Sequence, residues 1–344
     1  MSHDPSVGVV GVDPEFLVHA DPGAVVDALE AGAASSPAAR LVRALYQESD
    51  HLHRAVTPGV RRQLLALDAA RFGDRKLAAR ISSVAVEGEA DALWTVEWAT
   101  SSMIVLTYRD TLPGHTDTVH SVSLGTVDGR DVVVTAGWDK TVCVWDLADG
   151  RPFGEPSLPV VTVDGGHLAA DQSVDESLAG PIESAWTVAR GVVDGRPVVA
   201  VADGEGPVRV WDPATGSPVG EPFVGHTAPV RVVATGVVDG RPVAVTGSLD
   251  RSARVWDLAS GRPVREPLIG HTDSVWTVAT GVVDGLPVAV TGSSDRTVRV
   301  WDLASGRQVG PELVFPSEVG AVAVTPDGRL VVGFGWEIAV LARR

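Results

Sequence analysis

The sequence predicts an all-β fold of short, repeated sheets, preceded by a small α-helical region. Three observations carry this. First, the segment Gly270–Asp302 recurs without a gap at Gly225–Asp257 and Gly114–Asp146, and in a worn form at Gly180–Asp212. Second, the copies that begin at 180, 225 and 270 are 45 residues apart, the repeat length of a propeller blade. Third, each copy is a series of Val-rich runs broken by Asp-Gly turns, the composition of strands and hairpins. The expected architecture is therefore an all-β propeller with about five recognisable blades, closing as a ring or left incomplete.

Bulk properties narrow the possible functions. A chain of 344 residues, 44% hydrophobic and 21% charged, is long enough to bury a sizeable core. Its net charge of −16 repels phosphate backbones and argues against nucleic acid as a partner. The single cysteine, Cys143, excludes an internal disulfide framework and a cysteine-rich metal site. Within the strand TVCVWD it reads as a small buried apolar residue. The opening MSHDPSVGVVGVDP lacks the basic start and apolar core of a signal peptide. No run approaches the roughly eighteen apolar residues of a membrane span. The expected location is the cytoplasm, with no membrane partner.

Taken in order, residues 1–12 read as a tail and 13–82 as the helical region. Asp21 as cap, Pro22 at the first position and Gly32 as stop define one short helix. A second starts at Ser36-Pro37 and runs to about Arg54, with Leu41, Val42 and Leu45 for its buried stripe. Thr57-Pro58 starts a third, carrying Val60, Leu64, Leu65 and Leu67 towards Phe72, where Gly73 ends it. Asp74–Ile81 adds a turn or two. Arg40, Arg43, Arg54, Arg61, Arg62, Arg71, Arg75, Lys76 and Arg80 make this region basic within an acidic chain. That charge serves either docking on an acidic partner or simple solvation. His51 and His53, two residues apart, fall on different sides of a helix, which argues against a shared metal. Residues 83–113 turn to strand composition, and Met103–Tyr108 reads as the outer strand that closes the ring from the N-terminal side.

Residues 114–344 form the blades. A first strand such as VWTVAT leads through Asp284-Gly285, a tight turn needing positive φ at both positions, into a second, PVAVTGS. Asp295 turns the chain into a third, TVRVWD, and the tail LASGRPVREP supplies the fourth. Runs of Val and Ala imply strands buried on both faces, as when sheets stack on one another.

These motifs, Gly-His at the start and Trp-Asp at the end of each copy, resemble the WD40-repeat family over about residues 103–344. The resemblance implies one buried hydrogen-bond chain per blade, joining the His, a hydroxyl on the second strand, the turn Asp and the Trp. By position the sets are His115, Thr135, Asp139 and Trp145; His226, Thr246, Asp250 and Trp256; and His271, Thr291, Asp295 and Trp301. Hydroxyl, His and Asp also make a nucleophilic triad, but recurrence in three blades with Trp as fourth member favours structural staples. The copy at 180 departs, with Pro181, Val201 and Glu205 in place of His, Thr and Asp. The last copy keeps the turn Asp327-Gly328, has Leu341 near the Trp position and ends after its third strand. Residues 157–179 are an insertion, either a long loop or a degenerate blade.

No phosphate loop, HExxH, CxxC or GxSxG is present, and no cofactor, metal or catalytic residue is assigned. In the WD40 family, partners often occupy the face carrying the starts of the first strands. By position this places His120, Trp186, Arg231 and Trp276 on that rim, with Trp138 and Leu249 beside the turns. Trp and Arg dominate interfaces energetically, although a Trp at such a place also fits between blades as core. The implied function is a non-catalytic scaffold or sensor that holds a protein or peptide, with a propeller enzyme or carbohydrate binder the least supported. Residues 13–100 also resemble the linker of bacterial proteins that join a STAND or AAA-type NTPase to a WD40 array. That resemblance implies a regulatory alternative in which the helices act on a separate NTPase or effector. An open ring would also expose strand edges for self-association.

Overall fold

The computed structural model describes residues 13–32, 42–43, 46, 49, 51–54, 56–88, 92–100, 115–127, 129–152, 187–202 and 206–344. The chain divides into two units, residues 1–101 with 339–344, and residues 102–338.

In the first unit the helices begin where side chains can satisfy the first backbone N–H groups. Helix α1 (Pro14–His19) is capped by Asp13, which accepts from the Glu15 N–H at 3.2 Å. Asp21 accepts from the Gly23 N–H at 2.9 Å at the head of α2 (Pro22–Gly32). Thr57 caps α3 (Pro58–Arg71), and Asp74 caps α4 (Arg75–Ser82), accepting from Leu77 N–H at 2.9 Å. Sequence periodicity does not detect α1, because six residues are too few to show a stripe. Of the residues between 42 and 53, Val42, Tyr46, Ser49 and His53 are buried and His51 is exposed. Strand β1 (Trp94–Ala99) buries Trp94, Val96 and Trp98 and packs on α3 and α4. It pairs antiparallel with residues 339–343 of the last strand, Trp94 opposite Arg343 and Ala99 opposite Ala339. Met103–Tyr108, expected at the ring closure, lies outside the described residues.

The second unit is built from antiparallel sheets. The first holds β2 (Val119–Val127), β3 (Arg130–Gly137) and β4 (Val142–Asp146). Next come β5 (Thr187–Val193), β6 (Arg196–Ala202), β7 (Val208–Asp212) and β8 (Ser217–Phe223). The third comprises β9 (Val230–Val238), β10 (Arg241–Ser248), β11 (Ser252–Asp257) and β12 (Leu268–Ile269). The fourth comprises β13 (Val275–Val283), β14 (Leu286–Ser293), β15 (Thr297–Asp302) and β16 (Leu313–Val314). A last hairpin pairs β17 (Val319–Val324) with β18 (Leu330–Phe334), and β19 (Glu337–Arg343) follows. The insertion 157–179 lies outside the described residues.

Strand β9 packs against β5 and β13, β13 against β17, and β17 against β2. The last repeat therefore lies on the first, the succession a propeller requires. Close approach at these seams depends on glycine. A Cβ on Gly281 would stand 2.5 Å from a Val324 methyl, and one on Gly292 would stand 2.5 Å from a Val319 methyl. Hydroxyls stitch the same seams, Thr280 donating to the Thr235 carbonyl at 2.6 Å and Thr235 to the Arg190 carbonyl. Thr277 accepts from the Val322 N–H at 3.1 Å. The hairpins turn at Asp194-Gly195, Asp239-Gly240 and Asp284-Gly285, with φ of 49° and 76°, 50° and 75°, and 50° and 77°. Positive φ at both positions is the signature of the tight hairpin turn.

Candidate functional site

Three sheets contain the same buried relay. In the fourth, the Trp301 Nε1–H donates to Thr291 Oγ1 at 2.9 Å, and that hydroxyl meets His271 Nε2 at 2.7 Å. His271 Nδ1 lies 2.9 Å from Asp295 Oδ2. In the neutral tautomer with Nδ1 protonated, the hydroxyl donates to Nε2 and Nδ1–H donates to the carboxylate. The third sheet repeats it, with Trp256 to Thr246 at 2.8 Å, Thr246 to His226 at 2.8 Å and His226 to Asp250 at 2.8 Å. The first does so with Trp145 to Thr135 at 2.9 Å, Thr135 to His115 at 2.8 Å and His115 to Asp139 at 3.2 Å.

Each carboxylate also ties two backbone segments together. Asp295 accepts from the N–H groups of Thr272 and Thr297, both at 2.9 Å, and from the Thr297 hydroxyl at 2.6 Å. Burial alone would push these carboxyls up. For Asp250 the Ser252 hydroxyl, His226 and the Thr227 N–H outweigh burial and hold the group at about 2. For Asp139 the Thr116 N–H, the Thr141 donors and His115 do the same, again to about 2, and Asp295 is likewise lowered. Burial lowers His226 despite the raising effect of Asp250. The hydroxyls of Thr135, Thr246 and Thr291 are buried and already bonded to an indole and an imidazole. Such groups brace turns; they do not face substrate.

The second sheet lacks the relay. Val201, where a hydroxyl would stand, is buried, and Trp211 packs with Val188, Val199 and Val201. Pro181 and Glu205 lie outside the described residues. In the last repeat Leu341 is buried and stands opposite Val96 of β1. Cys143 is buried, and burial pushes its thiol up to about 11. Sequence reasoning passed over the second member of Trp-Asp. Asp146, Asp212 and Asp302 each accept from the N–H two residues on at 2.8 Å, and Asp257 accepts from Ser260 N–H at 2.8 Å. The signal was an Asp followed four residues later by Gly in every copy, with Gly150, Gly216, Gly261 and Gly306 all at positive φ.

The rim residues divide into two groups. Trp138 is 57% exposed and lies against the half-buried His120, with ring centres 4.8 Å apart. Trp276 is half-buried: the Arg231 guanidinium sits 4.4 Å over its ring, and its N–H donates to Ser294 Oγ at 2.6 Å. Ser294 in turn donates to Glu318 Oε2 at 3.1 Å. Leu249 is half-buried, and Trp186 lies outside the described residues. The structure adds Trp336, 50% exposed, at the turn after β18. The Val119 N–H donates to the Gly335 carbonyl at 2.7 Å and the Trp138 N–H to the Thr118 carbonyl at 3.0 Å. The two exposed tryptophans thus follow backbone anchored to adjacent residues at the start of β2. Trp336 escaped the sequence reading because the last repeat carries neither a Gly-His nor an Asp at the place of Asp139 to align it.

In the helical unit three of the basic residues are spent internally. Arg61 donates to the carbonyls of Val18 and Ala20 at 3.1 and 2.7 Å, closing the end of α1. Arg62 donates to the Val84 carbonyl at 2.7 Å, and Arg71 pairs with Asp68 at 3.0 Å. His53 is fully buried, with Nε2 2.7 Å from Ser49 Oγ and its ring stacked 5.0 Å from Tyr46. Among the described residues no three His, Cys, Asp or Glu side chains gather as a metal site requires, and no helix is long and apolar enough to cross a membrane.

Antiparallel sheets stacked in series and stapled by His, hydroxyl, carboxylate and indole define a β-propeller protein. The model of the WD domain, G-beta repeat, matches residues 106–146, 216–257 and 261–302, and the chain is a member of the WD40-repeat family. Among solved structures, the WD40 beta propeller domain of Doa1 is similar at 21% identity and a TM-score of 0.40, over 68% of this chain and 66% of that one. The computationally designed Ika4 protein is similar at 24% identity and a TM-score of 0.39, over 46% of this chain and 90% of that one. No curated protein matches the sequence.

Proposed function

We propose that the propeller is a non-catalytic interaction module that holds a protein or peptide on the rim formed by His120, Trp138, Trp186, Arg231, Leu249, Trp276 and Trp336. The observation that carries this reading is the exposure of Trp138 and Trp336, 57% and 50%, beside one strand start. Indole rings left in water forgo burial worth about 2 kcal/mol or more each, and large exposed aromatics are typical of binding surfaces. WD40 propellers generally mediate protein–protein contacts, which agrees with a rim of this composition. The relays lend no support to catalysis at their own hydroxyls, which are buried and committed to indoles. Among the described residues, Arg61, Arg62 and Arg71 turn to the unit's own carbonyls and carboxylate and so lend no support to a separate NTPase partner.

The test is capture of partners on the immobilised full chain, followed by cross-linking mass spectrometry. Cross-links are expected at residues 116–120, 138 and 336, and W138A/W336A should reduce capture at least about tenfold, the loss of two interface anchors. Undiminished capture by the double variant would move the binding site off this rim.

A further inference from the structure

The first strands β2, β9, β13 and β17 open with the same irregularity. In each, the ladder to the next strand shifts register at the second residue, so that His120, Arg231, Trp276 and Gly320 stand as the extra residue of a β-bulge. A bulge re-aims its side chain, and bulges concentrate at rims and beside binding sites. His120, Arg231 and Trp276 are large and half-buried. Gly320 offers no side chain, and a Cβ there would stand 2.4 Å from the Val119 carbonyl oxygen. Because β17 packs between β13 and β2, the row of bulge side chains has a gap between Trp276 and His120. Two exposed indoles belong to the sheets that meet at this gap, Trp336 to that of Gly320 and Trp138 to that of His120.

An adjoining seam carries a pattern for what fits such a gap. Arg231 of β9 lays its guanidinium 4.4 Å over the Trp276 ring of β13. The Trp276 N–H donates to Ser294, and Ser294 to Glu318. A planar guanidinium lies flat on an indole face, which a compact ammonium does less well. Charge around the gap favours the same kind of group. Asp117 and Glu318 are exposed just before β2 and β17. Asp139 stays ionised, its carboxyl held at about 2. Exposed Lys140 opposes these three carboxylates. Burial, and then His115, lowers His120, so its imidazole adds no charge at neutral pH. The surplus of carboxylates, within a chain of −16, repels an acidic or phosphate-bearing group and draws a cation.

We infer that the gap at Gly320 receives an arginine side chain of the partner, its guanidinium against the indoles of Trp138 and Trp336 and its charge met by Asp117 and Glu318. The inference rests on the reading of the rim as the binding surface and names what that surface grips. The full chain, with 15N-labelled tryptophan, is titrated with the peptides Ac-Gly-Ala-Xaa-Ala-Gly-NH2, where Xaa is arginine, lysine, citrulline or norleucine. The arginine peptide should move the Nε1–H signals of Trp138 and Trp336 saturably and leave those of Trp145, Trp256 and Trp301 in place. Each of the other three should bind at least about threefold more weakly, lysine for want of a planar cation, citrulline and norleucine for want of charge. D117N/E318Q, which keeps acceptors for the Thr118 N–H and the Ser294 hydroxyl, should bind the arginine peptide about threefold more weakly and with less dependence on salt. Unmoved Trp138 and Trp336 signals, a lysine, citrulline or norleucine peptide that binds as tightly, or full affinity in D117N/E318Q overturns the inference. If W138A/W336A still loses partner capture while the arginine peptide is inert, the rim stands as the binding surface and arginine is removed as what it holds.

Discussion

Asp295→Ala isolates what one relay contributes. The carboxylate is 5% exposed and His271 beside it 2%, so its loss strands groups that water reaches poorly. The His271 Nδ1–H, the Thr297 N–H and the Thr297 hydroxyl all lose their acceptor, whereas Thr272 is exposed and rehydrates. Each stranded buried donor costs about 1–3 kcal/mol. Partial rehydration and repacking bring the sum to about 3 kcal/mol. For a unit of this size that corresponds to a fall in Tm of about 6–12 °C, readable by differential scanning calorimetry. Asp295→Asn keeps an acceptor for the backbone donors and should cost about 1 kcal/mol. In a double-mutant cycle, H271F/D295A should cost less than the two single changes summed, by about 1 kcal/mol. An alanine variant within about 0.5 kcal/mol of the parent, the range of ordinary surface changes, refutes the assignment of Asp295 as a staple.

Two further expectations follow from the seams and the carboxylates. The folded carboxyls of Asp139 and Asp250 titrate at about 2 and that of Asp295 is lowered too, below the unfolded value of about 3.9. Their stabilisation is thus fully present above pH ~4 and is lost as pH falls towards 2, while the lowered His226 makes stability decline earlier, below pH ~6.5; urea melts of D250N should show a flatter slope in the lower window. Gly261→Ala places a Cβ 1.8 Å from the Glu221 carbonyl oxygen at φ 77° and should cost about 3 kcal/mol or more, whereas Gly285→Ala, also at φ 77° but with nothing within 4 Å, should cost about 1–2 kcal/mol in the same melts.

The repeated half of the fold was legible because its constraints recur. Asp-Gly turns, Val-rich strands and the residues at fixed offsets from Gly-His each appear three or four times, so register could be carried from one copy to the next. The helices at 22–32 and 58–71 were legible through their caps, Asp21-Pro22 and Thr57-Pro58. What escaped was singular or non-local. Helix α1 is one capped turn and a half, with no period to detect. The pairing of Trp94–Ala99 with the end of the chain spans more than two hundred residues, and nothing in either strand names its partner. The basic helices read as a surface, yet Arg61 and Arg62 serve carbonyls at the ends of other segments, a role that composition does not distinguish from solvation. On the rim, position placed Trp138 and Trp276 alike, but a stacked guanidinium half-buries one and leaves the other in solvent.

Indole exchange puts the stapling account to its most direct test. In a chain with 15N-labelled tryptophan transferred to D2O, the Nε1–H signals of Trp145, Trp256 and Trp301 should persist until the sheets themselves open, while those of Trp138 and Trp336 vanish at once. Exchange of the first three as fast as the latter two would contradict a relay that braces each sheet through a buried hydroxyl.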